Sequence, residues 1–199
     1  MNYLAHLYFA QRTADSHFGN LLGDFRRGVK VNNLSPMVRL GLENHYEVDR
    51  YTDSHPAVVE AKQLFDAKRR RFAPVALDIY FDHLLIKHWS KFSTTSFHDF
   101  RVNSFSLLEQ RLMHMPGIMR QRIGSMISQN WFNDYAKEEG IAMAITSVAR
   151  RIRFTNRFHY VVDDIAQHRD EIERYFLLFF PDLKRHIRRY GPENIAASL

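Results

Sequence analysis

The chain has 199 residues, 45% hydrophobic and 25% charged, with a net charge of +6 and no cysteine. That length holds one domain with a real core. The missing cysteines exclude disulfides, thiolate zinc sites and a cysteine nucleophile, and fit a reducing cytoplasm.

The opening segment is apolar for about ten residues but contains Asn2 and His6. It lacks the basic region and cleavage site of a signal peptide. No stretch approaches the ~20 apolar residues of a membrane span, so no membrane insertion is expected. Helical spacing predicts helices over 2–11, 17–27 (stopping at Gly28) and 36–53, the last entered at Pro36. Further helices are expected over 56–70, 75–91, 104–114, 117–128, 141–151 and 157–180. Pro181 permits a turn or kink, and the tail 191–199 is expected to fray. The fold class is therefore all-α, a single-domain helical bundle over 1–199, with 16 phenylalanines promising an aromatic core.

Polar residues recur at four-residue spacing, one turn apart on one helix face. They are Asn20 and Asp24, then His45, Asp49 and Asp53, then Asp78 and Asp82, with His83 directly after. Bundles build metal sites from inward-facing carboxylates and imidazoles on several helices. Each group also has a plainer reading. HYEVDRYTD can be a solvated face, with Thr52, Asp53 and Pro56 capping the next helix. Asp78 and Asp82 interrupt a strongly apolar helix, where a desolvated carboxylate needs a cation or donor. A metal satisfies them, and so do Arg69 to Arg71. Asp24 sits beside Gly19 and Gly23, which leave room for a ligand or another backbone, or it pairs with Arg26 or Arg27. His6 is a ligand or a core histidine, and His88 and Trp89 read as packing or a pocket wall.

An Asp/His set without thiolate suits Mn²⁺, Mg²⁺, Fe or Zn. Such a cation polarises a phosphoryl oxygen and lowers the pKa of a bound water. No GxxxxGK[ST] loop, GxGxxG, GxSxG elbow or HExxH occurs, so those chemistries lack their motifs.

The segments MNYLAHLYFA, GNLLGDFRRG, HYEVDRYTDSHP, RRRFAPVALDIYFDHLLIKHW and, more weakly, VARRIRF fall in order along the chain. Together they resemble the acyl carrier protein phosphodiesterases, or holo-ACP hydrolases, regarded as divergent relatives of the HD-type metal phosphohydrolases. The resemblance implies an HD-like bundle. It implies hydrolysis of the phosphodiester joining 4′-phosphopantetheine to a serine of holo acyl carrier protein, with Mn²⁺ the usual metal. It makes Asp24 an essential metal-site acid. Asp82–His83 reads as the reverse of the doublet that names the HD superfamily. The candidate set is then Asp24, Asp82 and His83 for catalysis. His6, Asp24, His45, Asp49, Asp78 and Asp82 are the candidates for metal, and Asn20, Arg26, Arg27, Arg70 and Arg71 for substrate. An acidic carrier protein is the electrostatically expected partner of a basic chain. Lys184 to Arg189 form a further basic run or a solvated helix end. Phe25, Phe72 and Trp89 could line a channel for the prosthetic arm.

Two alternatives remain. An HD-like phosphohydrolase of nucleotides or small phosphoesters would need no protein partner. A metal-free basic binding module would bind no metal, but it has no evident use for acids inside apolar helices. Its basic residues are also scattered rather than gathered on one recognition helix, which argues against nucleic acid.

Overall fold

The computed structural model describes residues 1–149 and 158–196, and all regular structure among them is helical. The elements are α1 (Tyr3–Phe9), α2 (Ala14–Leu22), α3 (Pro36–Ser54), α4 (Pro56–Gln63), α5 (Ala73–Lys87), α6 (Trp89–Phe92) and α7 (Phe97–Arg111). They continue as α8 (Gly117–Ser128), α9 (Trp131–Tyr135), α10 (Glu138–Ala149), α11 (Val161–Gln167), α12 (Arg169–Tyr190) and α13 (Pro192–Ala196). The expected all-helical class is borne out. No helix among the described residues is long and apolar enough to cross a membrane.

Local chemistry sets many boundaries. Thr13, Ser35 and Ser96 each accept a backbone N–H in the first turn of α2, α3 and α7, and Pro36 opens α3. Such caps satisfy donors that have no partner within the helix. The cap of α4 is the His55 ring, which accepts from the Ala57 N–H at 3.2 Å. Thr52 instead bonds the Val48 carbonyl, and exposed Asp53 pairs with Lys62. The expected capping role for Thr52 and Asp53 is thus replaced.

Other boundaries moved. The helix expected over 56–70 stops at Gln63, because 66–72 turns back to seat Arg69 on Asp164 at 2.7 Å. The helix expected over 157–180 is two helices, α11 and α12, broken at His168. Pro181 ends nothing: α12 continues through it to Tyr190. Its lost hydrogen bond is outweighed by an apolar stripe of Ile172, Phe176, Phe179, Phe180, Leu183 and Ile187, all buried on both sides of the proline. The tail expected to fray is helical to residue 196, with Glu193 buried. Of VARRIRF, only Val148 and Ala149 fall among the described residues.

The core is aromatic as expected. Phe81 meets Phe176 and Phe179 at 5.4 and 5.8 Å, and Phe180 packs on Phe92 at 4.8 Å. Each fully buried ring contributes about 1.5–3 kcal/mol. The most extensive helix contact joins α2 to α3. A Cβ on Gly19 would sit 2.3 Å from the Val38 carbonyl oxygen and 2.9 Å from Gly41 Cα. Only a glycine lets the two backbones touch there. This contact fixes α3, which carries His45 and Asp49, against the α2 end that leads into Asp24.

Candidate metal centre

Three of the expected ligands converge. His6 of α1 and His45 and Asp49 of α3 place one donor atom each within 4.8 Å of one another. His6 Nε2 lies 3.2 Å from Asp49 Oδ1, and His45 Nε2 lies 3.1 Å from Asp49 Oδ2. The two imidazoles stack with centroids 3.9 Å apart. Asp78 of α5 joins from the side. The Met1 ammonium lies 2.9 Å from its Oδ1 and 3.1 Å from Asp49 Oδ1. Both carboxylates are open to solvent, at 36% and 35% exposure, while the ammonium and both rings are buried. The centre therefore has a buried floor and an accessible carboxylate rim.

Electrostatics divides the protons. Burial, and then the neighbouring His45, holds His6 down to about 3. His45 moves up: burial opposes this, but the hydrogen bond and charge of Asp49, and the charge of Asp24, outweigh it. Two cations cannot share stacked rings, so one ring stays neutral. Burial works against Asp49 ionising, yet bonds from His45 and His6 and the Met1 charge hold its carboxyl far below the usual range. The ammonium is pushed up to about 11: desolvation lowers it, and Asp78 and Asp49 more than compensate.

Asp24 stands exposed at the edge in a short 3-10 turn over Gly23–Phe25. Loss of water around its carboxyl raises it to about 6; His45 pulls it down and Asp49 and Asp78 push it up. Among the described residues it makes no ion pair. Arg26 turns instead to the Tyr46 hydroxyl and the Val29 carbonyl, and Arg27 is exposed.

The donor set fits a divalent cation on three observations. Two imidazoles and several carboxylates, without sulfur, are borderline-to-hard ligands. His45 Nδ1 donates to the Asn20 carbonyl at 2.8 Å, which fixes the ring with Nε2 toward the centre, where a cation would take the place of the proton now shared with Asp49. The ring also lies in a cradle that any side chain would fill, since a Cβ on Gly23 would come within 2.1 Å of it. Of the two glycines expected to admit a ligand or another backbone beside Asp24, Gly19 admits the α3 backbone and Gly23 the His45 ring.

The remaining candidates lie elsewhere. Asp82 is fully buried and accepts from the Leu4 and Ala5 N–H groups at 2.9 and 3.0 Å. It caps α1 from a distant helix, because the N-cap residue Asn2 supplies no side-chain bond. Burial still pushes its carboxyl up to about 7 against those two donors. His83 points away, with Nδ1 at 2.8 Å from the Tyr135 carbonyl, and ties α5 to α9. Asn20 is buried rather than offered to substrate. It donates to Glu193 at 3.0 Å and accepts from Asn44 at 2.9 Å, bracing the carbonyl that orients His45. Arg70 bonds the Phe65 carbonyl and the Gln63 carbonyl at the end of α4, and Arg71 lies over the Phe72 ring. Trp89 packs on Phe100 at 4.7 Å and Phe72 on Phe158 at 5.4 Å, so neither lines a channel at the centre. His88 meets Glu173 at 2.6 Å. In the basic run, Lys184 donates to the Phe92 carbonyl, Arg185 pairs with Asp182 and His186 with Glu47. Sequence reasoning missed the Met1 ammonium, Asn44 and Glu193. No spacing rule links a chain terminus to a helix interior, so none could have found them.

The profile of the family described as acyl carrier protein phosphodiesterase matches residues 1–183. The acyl carrier protein phosphodiesterase of Photorhabdus laumondii is 36% identical over 182 residues, 91% of this chain and 92% of that protein. That of Yersinia pestis is 33% identical over 186 residues, 93% and 96% of the two chains. An Escherichia coli enzyme of the same name is 32% identical over 194 residues, 95% and 98%. No solved structure matches the chain. From the matched profile and these near full-length relatives, the chain belongs to the acyl carrier protein phosphodiesterase family.

Proposed function

We propose that this protein hydrolyses the phosphodiester between 4′-phosphopantetheine and the serine of holo acyl carrier protein, and that His6, His45 and Asp49 hold a divalent cation, Mn²⁺, for that reaction. The products are the apo-protein and free 4′-phosphopantetheine. The observation that carries the metal assignment is the meeting of two stacked imidazoles with one carboxylate, beside a second carboxylate that already faces a cation. The net charge of +6 favours an acidic protein substrate.

A bound divalent cation supplies charge for a phosphoryl oxygen and acidifies a water. The chain's own residues do the rest. The Asn20 carbonyl orients His45, and Asp49 stays ionised between the two rings. Asp78 adds negative charge on the exposed rim. Asp24 stands exposed at the edge of the centre, where its carboxylate can face the cation or the attacking water. Arg27, exposed two residues after the turn that carries Asp24 begins its exit, is a contact for the acidic partner.

The test is incubation with holo acyl carrier protein and Mn²⁺, followed by intact mass. Loss of the phosphopantetheine mass, blocked by EDTA and by Asp49→Ala, is the expected result. An unchanged mass with verified metal loading would redirect the assignment to small phosphoesters.

A further inference from the structure

A cavity of about 260 Å³ opens against α1, α5, α8, α9 and α10. It shares two elements, the start of the chain and α5, with the candidate metal centre. Asn2 and Tyr3, which follow Met1, form one wall, and Ile79, which follows Asp78, forms part of another. Tyr3 also links the two places electrostatically. Burial, and then the Asp24 charge, raises its phenol to about 12, while a hydrogen bond with Arg122 pulls the other way.

Arg122 lines the same cavity. Its guanidinium lies over the Trp131 ring at 5.1 Å and reaches Tyr3. Among the described residues it has no carboxylate within ion-pair distance. The bound posture leaves its charge available to an anion, and a planar guanidinium matches phosphate oxygens in pairs. The rest of the lining is split. Met143, Ala144 and Val148 are apolar, and Gln129, Asp134 and Ser147 are polar. Met143 is 62% exposed, an apolar side chain kept at a rim. This mixture suits a slender chain in which amides and a hydroxyl alternate with methyl and methylene groups. The volume is near the lower end for small-molecule sites, enough for a linear arm.

We propose that this cavity receives the 4′-phosphopantetheine arm of the substrate, with Arg122 pairing with its phosphate. The assignment rests on the function proposed above, and it moves the arm away from Phe72 and Trp89.

Free 4′-phosphopantetheine, titrated against the chain as purified, tests it by tryptophan fluorescence. The chain has two tryptophans, and Trp89 is packed in a separate aromatic cluster. A saturable change that disappears in Trp131→Phe is expected. Ala144→Phe, which fills the cavity, weakens binding at least tenfold. Arg122→Ala removes the preference for 4′-phosphopantetheine over unphosphorylated pantetheine, and Arg122→Lys restores part of it. Unchanged affinity in Ala144→Phe, with an unaltered helical circular dichroism spectrum, overturns the cavity. An unchanged phosphate preference in Arg122→Ala overturns the role of the arginine. Turnover separates this from the function itself. If the wild type cleaves holo acyl carrier protein and Ala144→Phe cleaves it with the same KM and kcat, the cavity assignment falls alone. If the wild type leaves the carrier protein intact, the functional assignment falls, and the binding titration still decides the cavity.

Discussion

Asp78 and Asp82 lie one turn apart on α5 and meet opposite fates. Asp78 is partly exposed and faces a cation, the Met1 ammonium at 2.9 Å. Asp82 is fully buried and faces two amides of α1. The helix aims both side chains toward the same neighbouring segment, but that segment presents its charged end to one and its first turn to the other. Two carboxylates on a single face therefore have two solutions: a half-exposed one paired with a cation, and a buried one that caps a helix and needs none. The difference lies in the partners, and partners come from tertiary placement.

Substitutions can break this comparison. The largest effect is expected from Asp49→Ala, which removes the carboxylate shared by both rings. Metal content and holo acyl carrier protein turnover should fall by about 100-fold or more, with the circular dichroism spectrum unchanged. Full metal occupancy in the variant would remove Asp49 from the centre. Asp82→Ala should act on stability instead. Two buried N–H groups lose their acceptor, at a cost of about 2–4 kcal/mol in urea denaturation. Loss of metal without loss of stability would reverse the two roles. Asp78→Asn keeps the shape and removes one rim charge, so a reduction of roughly tenfold in metal affinity is expected by titration.

A second histidine region sharpens the contrast. His17 is buried like His6, but its partners are neutral: the Gln11 carbonyl at 3.0 Å and the Ser104 hydroxyl at 3.2 Å. Burial lowers it to about 4. The unfolded chain takes up that proton first, below about pH 6.5. Stability is then complete above that pH and declines as pH falls toward 4, by up to about 1.4 kcal/mol per unit. Urea midpoints at pH 7 and pH 5 should differ less in His17→Gln than in the wild type. An equal difference would place the acid sensitivity elsewhere. The smallest effect is expected from Arg27→Ala on the exposed surface. KM for the carrier protein should rise about 2- to 3-fold at low salt and recover at high salt. A change that persists in high salt would mean a contact other than charge.

Much of this was legible because helical periodicity is a local property. α3 and α8 fall where the apolar spacing and their opening Pro36 and Gly117 put them. The centre was half legible for the same reason. His45 and Asp49 share a face by spacing, and His6 stands out as a polar residue in an apolar run. Asn20 and Asp82 carried the same polar-among-apolar signal, yet they satisfy backbone and neighbouring amides. Periodicity identifies a side chain that needs a partner and does not distinguish a cation from an N–H. α9 was not expected, since five residues are too few to develop a period. The course of α12 through Pro181 was hidden because the burial that sustains it comes from other helices.

The close passage of Gly19 and Gly41 has a practical meaning for design. A ligand list transplanted onto another helix pair would carry His45 and Asp49 but not the separation that brings the Asp24 turn and the Gly23 cradle around the ring. The transferable unit is a pair of helices with their backbones in contact, and its specification begins with residues that have no side chain.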